Sequence, residues 1–166
     1  MSSVREPVAI IGIGNPMRQD DGVGPAVVEA CRADPIAGCE LVQLDGETTR
    51  LLEAWRDREL AIVIDAISTG AAPGTIHDLG IAQITPTRRT DPRASSHSGG
   101  LAAAVELGAA LDRLPDTLRV VGIEAGALDH GSEMSGPVAE SLPTLVQLVR
   151  GIALIDAGGV VGEAPE

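Results

Sequence analysis

The chain has 166 residues, the size of about one domain. Its 24 acidic and 12 basic residues leave a formal net charge of -12, which argues against a nucleic-acid phosphate backbone or an anionic membrane as the main partner. Apolar residues make up 44%, too many for a disordered chain; with no Phe, no Tyr and one Trp, the core must be built from Val, Ile, Leu and Ala, and a base-stacking platform is excluded.

Residues 8–13 (VAIIGI) form an unbroken apolar run that predicts a strand buried on both faces. A helix is expected over 23–33, with Val23, Ala26, Val27, Ala30 and Cys31 on one stripe and Pro25 in its first turn. A second unit follows, with a strand over 40–46 and a helix over 48–58 capped by Thr48 or Thr49. The third strand, 60–67 (LAIVIDAI), is the most hydrophobic and carries one charge, Asp65. Pro73-Gly74 marks a turn, and the short strand over 74–79 is reached without room for a crossover helix, so it should run antiparallel at a sheet edge. The polar, Pro- and Arg-rich stretch 82–96 reads as an exposed loop. A helix over 97–113, a strand over 118–125 and a last helix over 136–155, kinked at Pro143, complete the pattern.

These elements predict an α/β three-layer sandwich: a mostly parallel, twisted five-stranded sheet with one antiparallel edge strand and helices on both faces. One domain over 1–166 is expected, with fraying over about 158–166. The N-terminus does not read as a secretory signal, and the apolar runs are interrupted well short of the ~20 residues of a bilayer span. Cys31 and Cys39 suit neither a zinc cluster nor a disulfide framework and read as reduced thiols of a cytoplasmic protein.

Polar residues at three places in the chain stand where structure alone would not choose them. Asp20 and Asp21 lie in the loop leaving the first strand (GIGNPMRQDDGVG), Asp65 ends the third strand, and His97 opens a later helix. In doubly wound sheets, ligands bind outside the carboxyl ends of the strands where the strand order reverses. A strand order beginning 2-1-3 would face Asp21 toward Asp65 there, with His97 descending on them. Two carboxylates and an imidazole suit a divalent first-row metal such as nickel or zinc, and a helix N-terminus keeps the imidazole neutral and able to ligate. Each residue also has a plainer reading: Asp20 and Asp21 as helix N-terminal charges, Asp65 as a turn-maker, His97 as a loop histidine.

Gly12-Ile13-Gly14 with Asp45 also resembles a dinucleotide fingerprint. Met17 stands where the third glycine belongs, and Asp20 and Asp21 would repel a pyrophosphate at that helix N-terminus. His77 and His130 read as surface residues, Ser95, Ser96 and Ser98 lack a G-x-S-x-G elbow, and Cys31 has no activating base.

The first loop, followed by LDGET, VIDAISTGAAPGTIH, SSHSGGLAAAVELG and VVGIEAGALDHGSEMSGP, strongly resembles the hydrogenase maturation proteases from about residue 8 to 150. These endopeptidases trim the C-terminus of the large subunit of nickel-iron hydrogenases. The resemblance implies that Asp21, Asp65 and His97 are the metal-binding trio, with Asp21 standing where some members have Glu. Asp20 and the glycines Gly12, Gly14, Gly22 and Gly24 match the family's first loop. It further implies that the metal is nickel supplied by the substrate, a precursor of the large subunit already loaded with it, and that no tightly bound organic cofactor is needed. Neither a nucleic acid nor a membrane is an expected partner. Two hydrolytic routes stay open: the bridging metal polarises the carbonyl or activates water, or Asp21 or Asp65 acts as general base, as in a carboxylate endopeptidase. The alternative is a non-catalytic metal- or nucleotide-binding module on the same sandwich.

Overall fold

The computed structural model describes residues 5–81, 84 and 96–157, with side chains for all of these except 96–99 and 156–157. Its elements, in order, are β1 (Val8–Ile13), a 3-10 turn (Gln19–Gly22), α1 (Val23–Ala33), β2 (Cys39–Leu44), α2 (Thr48–Trp55), β3 (Leu60–Ile67), β4 (Ile76–Gly80), α3 (Ser96–Leu111), β5 (Thr117–Glu124) and α4 (Gly136–Ala157). The strands form one sheet in the order β2-β1-β3-β5-β4. The first four in that order are mutually parallel, with Val8 opposite both Cys39 and Leu60 and Leu60 opposite Thr117. The edge strand β4 runs antiparallel to β5, Ile76 opposite Ile123. The expected architecture, including the 2-1-3 start and the antiparallel edge, is the observed one.

Burial explains the composition of the strands. Every residue of β1 and all but the last of β3 are buried, because helices cover both faces of these inner strands; the edge strand β2 is only half-buried. On one face Val23, Val27 and Val28 of α1 and Val138, Leu145 and Val149 of α4 pack against Ile10, Ile62, Ile64, Val121 and Ile123. On the other, Leu51, Leu52 and Trp55 of α2 and Leu101, Ala104 and Val105 of α3 cover Ile11, Ile13, Val63, Leu118 and Val120. Branched and small side chains fill both layers around one fully buried indole, that of Trp55.

Several boundaries differ from expectation for local reasons. The N-cap of α2 is Glu47, not a threonine, because its longer carboxylate reaches the N–H groups of both Thr49 and Arg50 at 3.1 Å. That cap also ends β2 at Leu44, since Asp45 turns to accept from the Glu47 N–H. Helices α2 and α3 stop short of 58 and 113 because Asp57 and Asp112 take left-handed conformations, with φ of 60° and 54°. Pro143 lies inside α4, and the helix continues through it. By length and composition Gly136–Ile155 is apolar enough to cross a membrane, contrary to the sequence reading, which took its few polar residues as breaks. Its Val138, Leu145, Val149, Ile152 and Ala153 nevertheless lie in the protein core. The stretch 85–95 and the tail 158–166 lie outside the described residues.

Close backbone approach sets α1 directly on the strand ends. A Cβ on Gly24 would stand 2.7 Å from the nitrogen of Ile13 and 2.8 Å from the carbonyl oxygen of Ile64, with the Ile13 carbonyl closer still. Gly24→Ala is therefore expected to destabilise the protein by about 2 kcal/mol or more. Gly151→Ala, where a Cβ meets nothing within 4 Å, is expected to leave stability unchanged or raise it by up to about 1 kcal/mol. Denaturant unfolding followed by Trp55 fluorescence measures both.

Candidate active site

The carboxyl edge of the sheet is built first by the loop that leaves β1. Gly14 has φ 142°, and a Cβ there would run into the carbonyl oxygen of Asp21, so only glycine lets the loop fold back on itself. Asp21 then turns inward, its Oδ2 accepting from the Asn15 N–H at 2.9 Å, while the Asn15 side chain accepts from the Met17 N–H at 2.9 Å. The 3-10 turn that carries Asp20 and Asp21 packs against β3. Asp21 is 1% exposed.

Asp20 does something different. Fully buried, its carboxylate accepts from the N–H groups of Gly126, Ala127 and Ser135, each at 2.7 Å, and from the Ser135 hydroxyl at 2.8 Å. It thereby gathers both ends of the 126–135 loop onto the first loop. Backbone bonds extend the seam: Gln19 N–H to the Gly131 carbonyl at 2.8 Å, Gly131 N–H to that of Met17 at 2.9 Å, and Asp20 N–H to that of Ala127 at 3.1 Å. The reading of Asp20 as a plain helix N-terminal charge is thus incomplete: it is a tie between loops.

Asp65, also 1% exposed, stands opposite Gly122 of β5, one position beyond the last pairing of β3 with β1. His97 is the second residue of α3, and its side chain lies outside the described residues, as do those of Ser95, Ser96 and Ser98. The start of α3 is nevertheless docked on the outlet of β2. The Thr48 hydroxyl donates to the Gly100 carbonyl at 3.3 Å, and a Cβ on Gly100 would collide with the carbonyl of Gly46. The fold therefore brings the segments bearing Asp21, Asp65 and His97 to one edge. Among the described residues no three His, Cys, Asp or Glu side chains form a group able to hold a metal, so the ligand set read from the sequence draws on the described carboxylates of Asp21 and Asp65 and on the undescribed imidazole.

The structure corrects the sequence at His77. Far from being a free surface group, it is 25% exposed, and its Nε2 stands 3.3 Å from Oε2 of Glu124, which is almost fully buried. The sequence reading missed Glu124, although its signal, an acid closing an apolar strand, is the one that marked Asp65. Its Oε1 accepts from the N–H groups of Thr69 at 2.7 Å and Gly70 at 3.0 Å, and its Oε2 from the Thr69 hydroxyl at 2.8 Å. Elsewhere the expectations hold. His130 is exposed, and burial pushes the thiols of Cys31 and Cys39 up, away from nucleophilic use. Asp45 is exposed, pairs with Arg50 at 3.1 Å and serves the turn before α2.

A family model described as hydrogenase maturation protease matches residues 26–152. The chain belongs to the hydrogenase maturation protease family. That family is one of peptide-bond hydrolases, and its similarity to this chain extends to both sequence and fold. The hydrogenase expression/formation protein HupD of Thiocapsa roseopersicina is 26% identical over 144 residues, covering 85% of this chain; the chain spans 65% of that relative's length. The hydrogenase 2 maturation protease of Escherichia coli K12 is 29% identical over 150 residues, covering 87% of this chain and 90% of that protein. Among solved structures, the hydrogenase maturating endopeptidase HybD from E. coli superposes with a TM-score of 0.77 at 24% identity, covering 91% of this chain and 93% of that one.

The Glu124 cluster makes the stability of this chain depend on pH. Burial raises the affinity of its carboxyl for a proton, but the bonds from the Thr69 hydroxyl, the Thr69 and Gly70 N–H groups and His77 outweigh it and hold the carboxyl below its ordinary value. A group depressed in the folded state contributes stability above its unfolded value and loses it as pH falls through the folded one. Glu124→Gln is expected to flatten the acid side of the stability profile, measured as denaturation midpoint against pH downward from about 6.

Proposed function

We propose that this protein removes the C-terminal tail of the nickel-loaded precursor of a nickel-iron hydrogenase large subunit, acting in the cytoplasm. Asp21, Asp65 and His97 read the substrate's nickel. The observation that carries this reading is the delivery of two buried carboxylates, from the β1 loop and from β3, to the edge on which the start of α3 is docked. Hard oxygen donors and an imidazole suit a divalent nickel ion that brings its remaining ligands with it. A metal bridging the partners would set the scissile bond in place only in a loaded precursor, which turns binding into a check on cofactor insertion.

Hydrolysis needs an activated water and a stabilised carbonyl oxygen. Either the substrate's metal polarises the carbonyl, or Asp21 or Asp65 takes a proton from water as general base; both routes make the charge of Asp65 essential. The alternative of a nucleotide-binding module finds little support: four carboxylates, Asp20, Asp21, Asp65 and Glu124, are buried toward one edge, where a pyrophosphate would meet repulsion.

The test is incubation with nickel-loaded and nickel-free precursor, read by the mass of the large subunit. Cleavage is expected in the loaded sample alone. Asp65→Asn, Asp21→Asn and His97→Ala are each expected to slow it by about 100-fold or more. Normal processing by Asp65→Asn overturns both hydrolytic routes, and normal processing by His97→Ala removes the imidazole from the ligand set.

A further inference from the structure

We propose that Glu124 is a positioning residue for the cleavage site, acting on Asp65 through the connection that leaves β3. The proposal rests on the role given to Asp65 above.

Register places the two acids on one face of the sheet. Asp65 is opposite Gly122 and Ile67 is opposite Glu124, so Glu124 stands one side-chain row beyond Asp65 on the neighbouring strand. Leu118 and Val120 precede it on that face of β5 and pack in the core beneath α2 and α3. The same row continues to the edge strand, where His77 is also opposite Gly122. The glycine is required there: a Cβ on residue 122 would stand 2.7 Å from the terminal methyl group of Ile67, which leans across between the rows. The side chain that follows Asp65 on its own face is thus wedged against the strand that carries Glu124.

The partners of Glu124 point to one purpose. Its hydrogen-bond donors, the Thr69 N–H, the Thr69 hydroxyl and the Gly70 N–H, belong to the turn that begins right after β3, and Gly70 sits there with φ 92°. The backbone closes the same turn from its far side, with Gly74 N–H donating to the Glu124 carbonyl at 2.8 Å and Glu124 N–H to the Thr75 carbonyl at 2.8 Å. Both ends of the 69–75 connection are consequently bonded to residue 124, by its side chain at the start and by its main chain at the end. His77, at the beginning of β4, clips the carboxylate from the strand into which this connection runs. These bonds fix the direction in which β3 ends, two residues after the acid that must meet the substrate.

The test compares wild type with Glu124→Ala, Glu124→Gln and Thr69→Val, each checked for native Trp55 fluorescence. On nickel-loaded precursor, Glu124→Ala is expected to lower kcat about 10- to 100-fold while KM changes less than about twofold. Glu124→Gln keeps an oxygen for the two N–H groups and is expected to recover most of that loss; Thr69→Val, which removes only the hydroxyl, should fall between. Independently of cleavage, Glu124→Ala is expected to speed amide exchange at Thr69 and Gly70 and to move the carboxyl carbon resonance of Asp65. An unchanged Asp65 resonance, or an unchanged kcat per folded molecule, overturns the positioning role and leaves Glu124 as a purely structural tie. If wild type itself leaves loaded precursor uncut, the proposed function falls, and the resonance and exchange measurements decide the role of Glu124 on their own.

Discussion

The carboxyl edge depends on one buried charge. A carboxylate removed from water costs several kcal/mol unless the lost hydration is replaced, and Asp20 replaces it with four hydrogen bonds from residues 106 to 115 positions away. Two of its donors, the consecutive N–H groups of Gly126 and Ala127, lie just past the end of β5, where the strand ladder no longer supplies acceptors. The other two, on Ser135, belong to the residue immediately before α4. One side chain therefore fixes how the chain leaves β5 and how it enters the last helix, and through the backbone it fixes the next residue, Asp21.

Neighbouring acids with opposite duties recur along this edge. Asp20 and Glu124 are consumed by loop N–H groups and hydroxyls, so they act as connectors. Asp21 and Asp65 stand on the first loop and on the central strand. The glycines serve the same end from the other side. Gly12 and Gly24 let α1 descend onto the strand ends, and Gly14 lets the first loop close on Asp21, so the distance between loop and strand is set by backbone contact and not by flexible side chains.

The layers, strand order and edge strand were legible because the signals for them are local. Unbroken apolar runs marked the doubly covered strands, and the short link through Pro73-Gly74 left no length for a crossover. Asp65 stood out in the sequence because it is the one charge inside LAIVIDAI, and the structure buries it. Glu124 carries a weaker form of that signal, since a terminal acid reads equally well as the solvent-facing end of a strand. Its burial comes from the Thr69 turn and from β4 folding back beside β5, and neither the register that sets His77 opposite Gly122 nor the bonds to Thr69 follow from spacing alone. The ties of Asp20 were illegible for the same reason: adjacent aspartates before a helix look equivalent until partners more than a hundred residues away distinguish them.

The charge pattern also bears on what the edge can receive. In a chain of net charge -12, four acids buried toward one rim create a field that opposes anions and favours cations, and hydrogen bonding to Asp20 and Glu124 does not cancel their charge. Those bonds do prevent either acid from swinging toward an arriving metal, because each would have to abandon several donors buried with it. The connectors thus supply negative potential while held to their own donors. A partner that carries its own divalent metal is suited to such a rim, whereas the same partner without the metal would bring no charge to offset it.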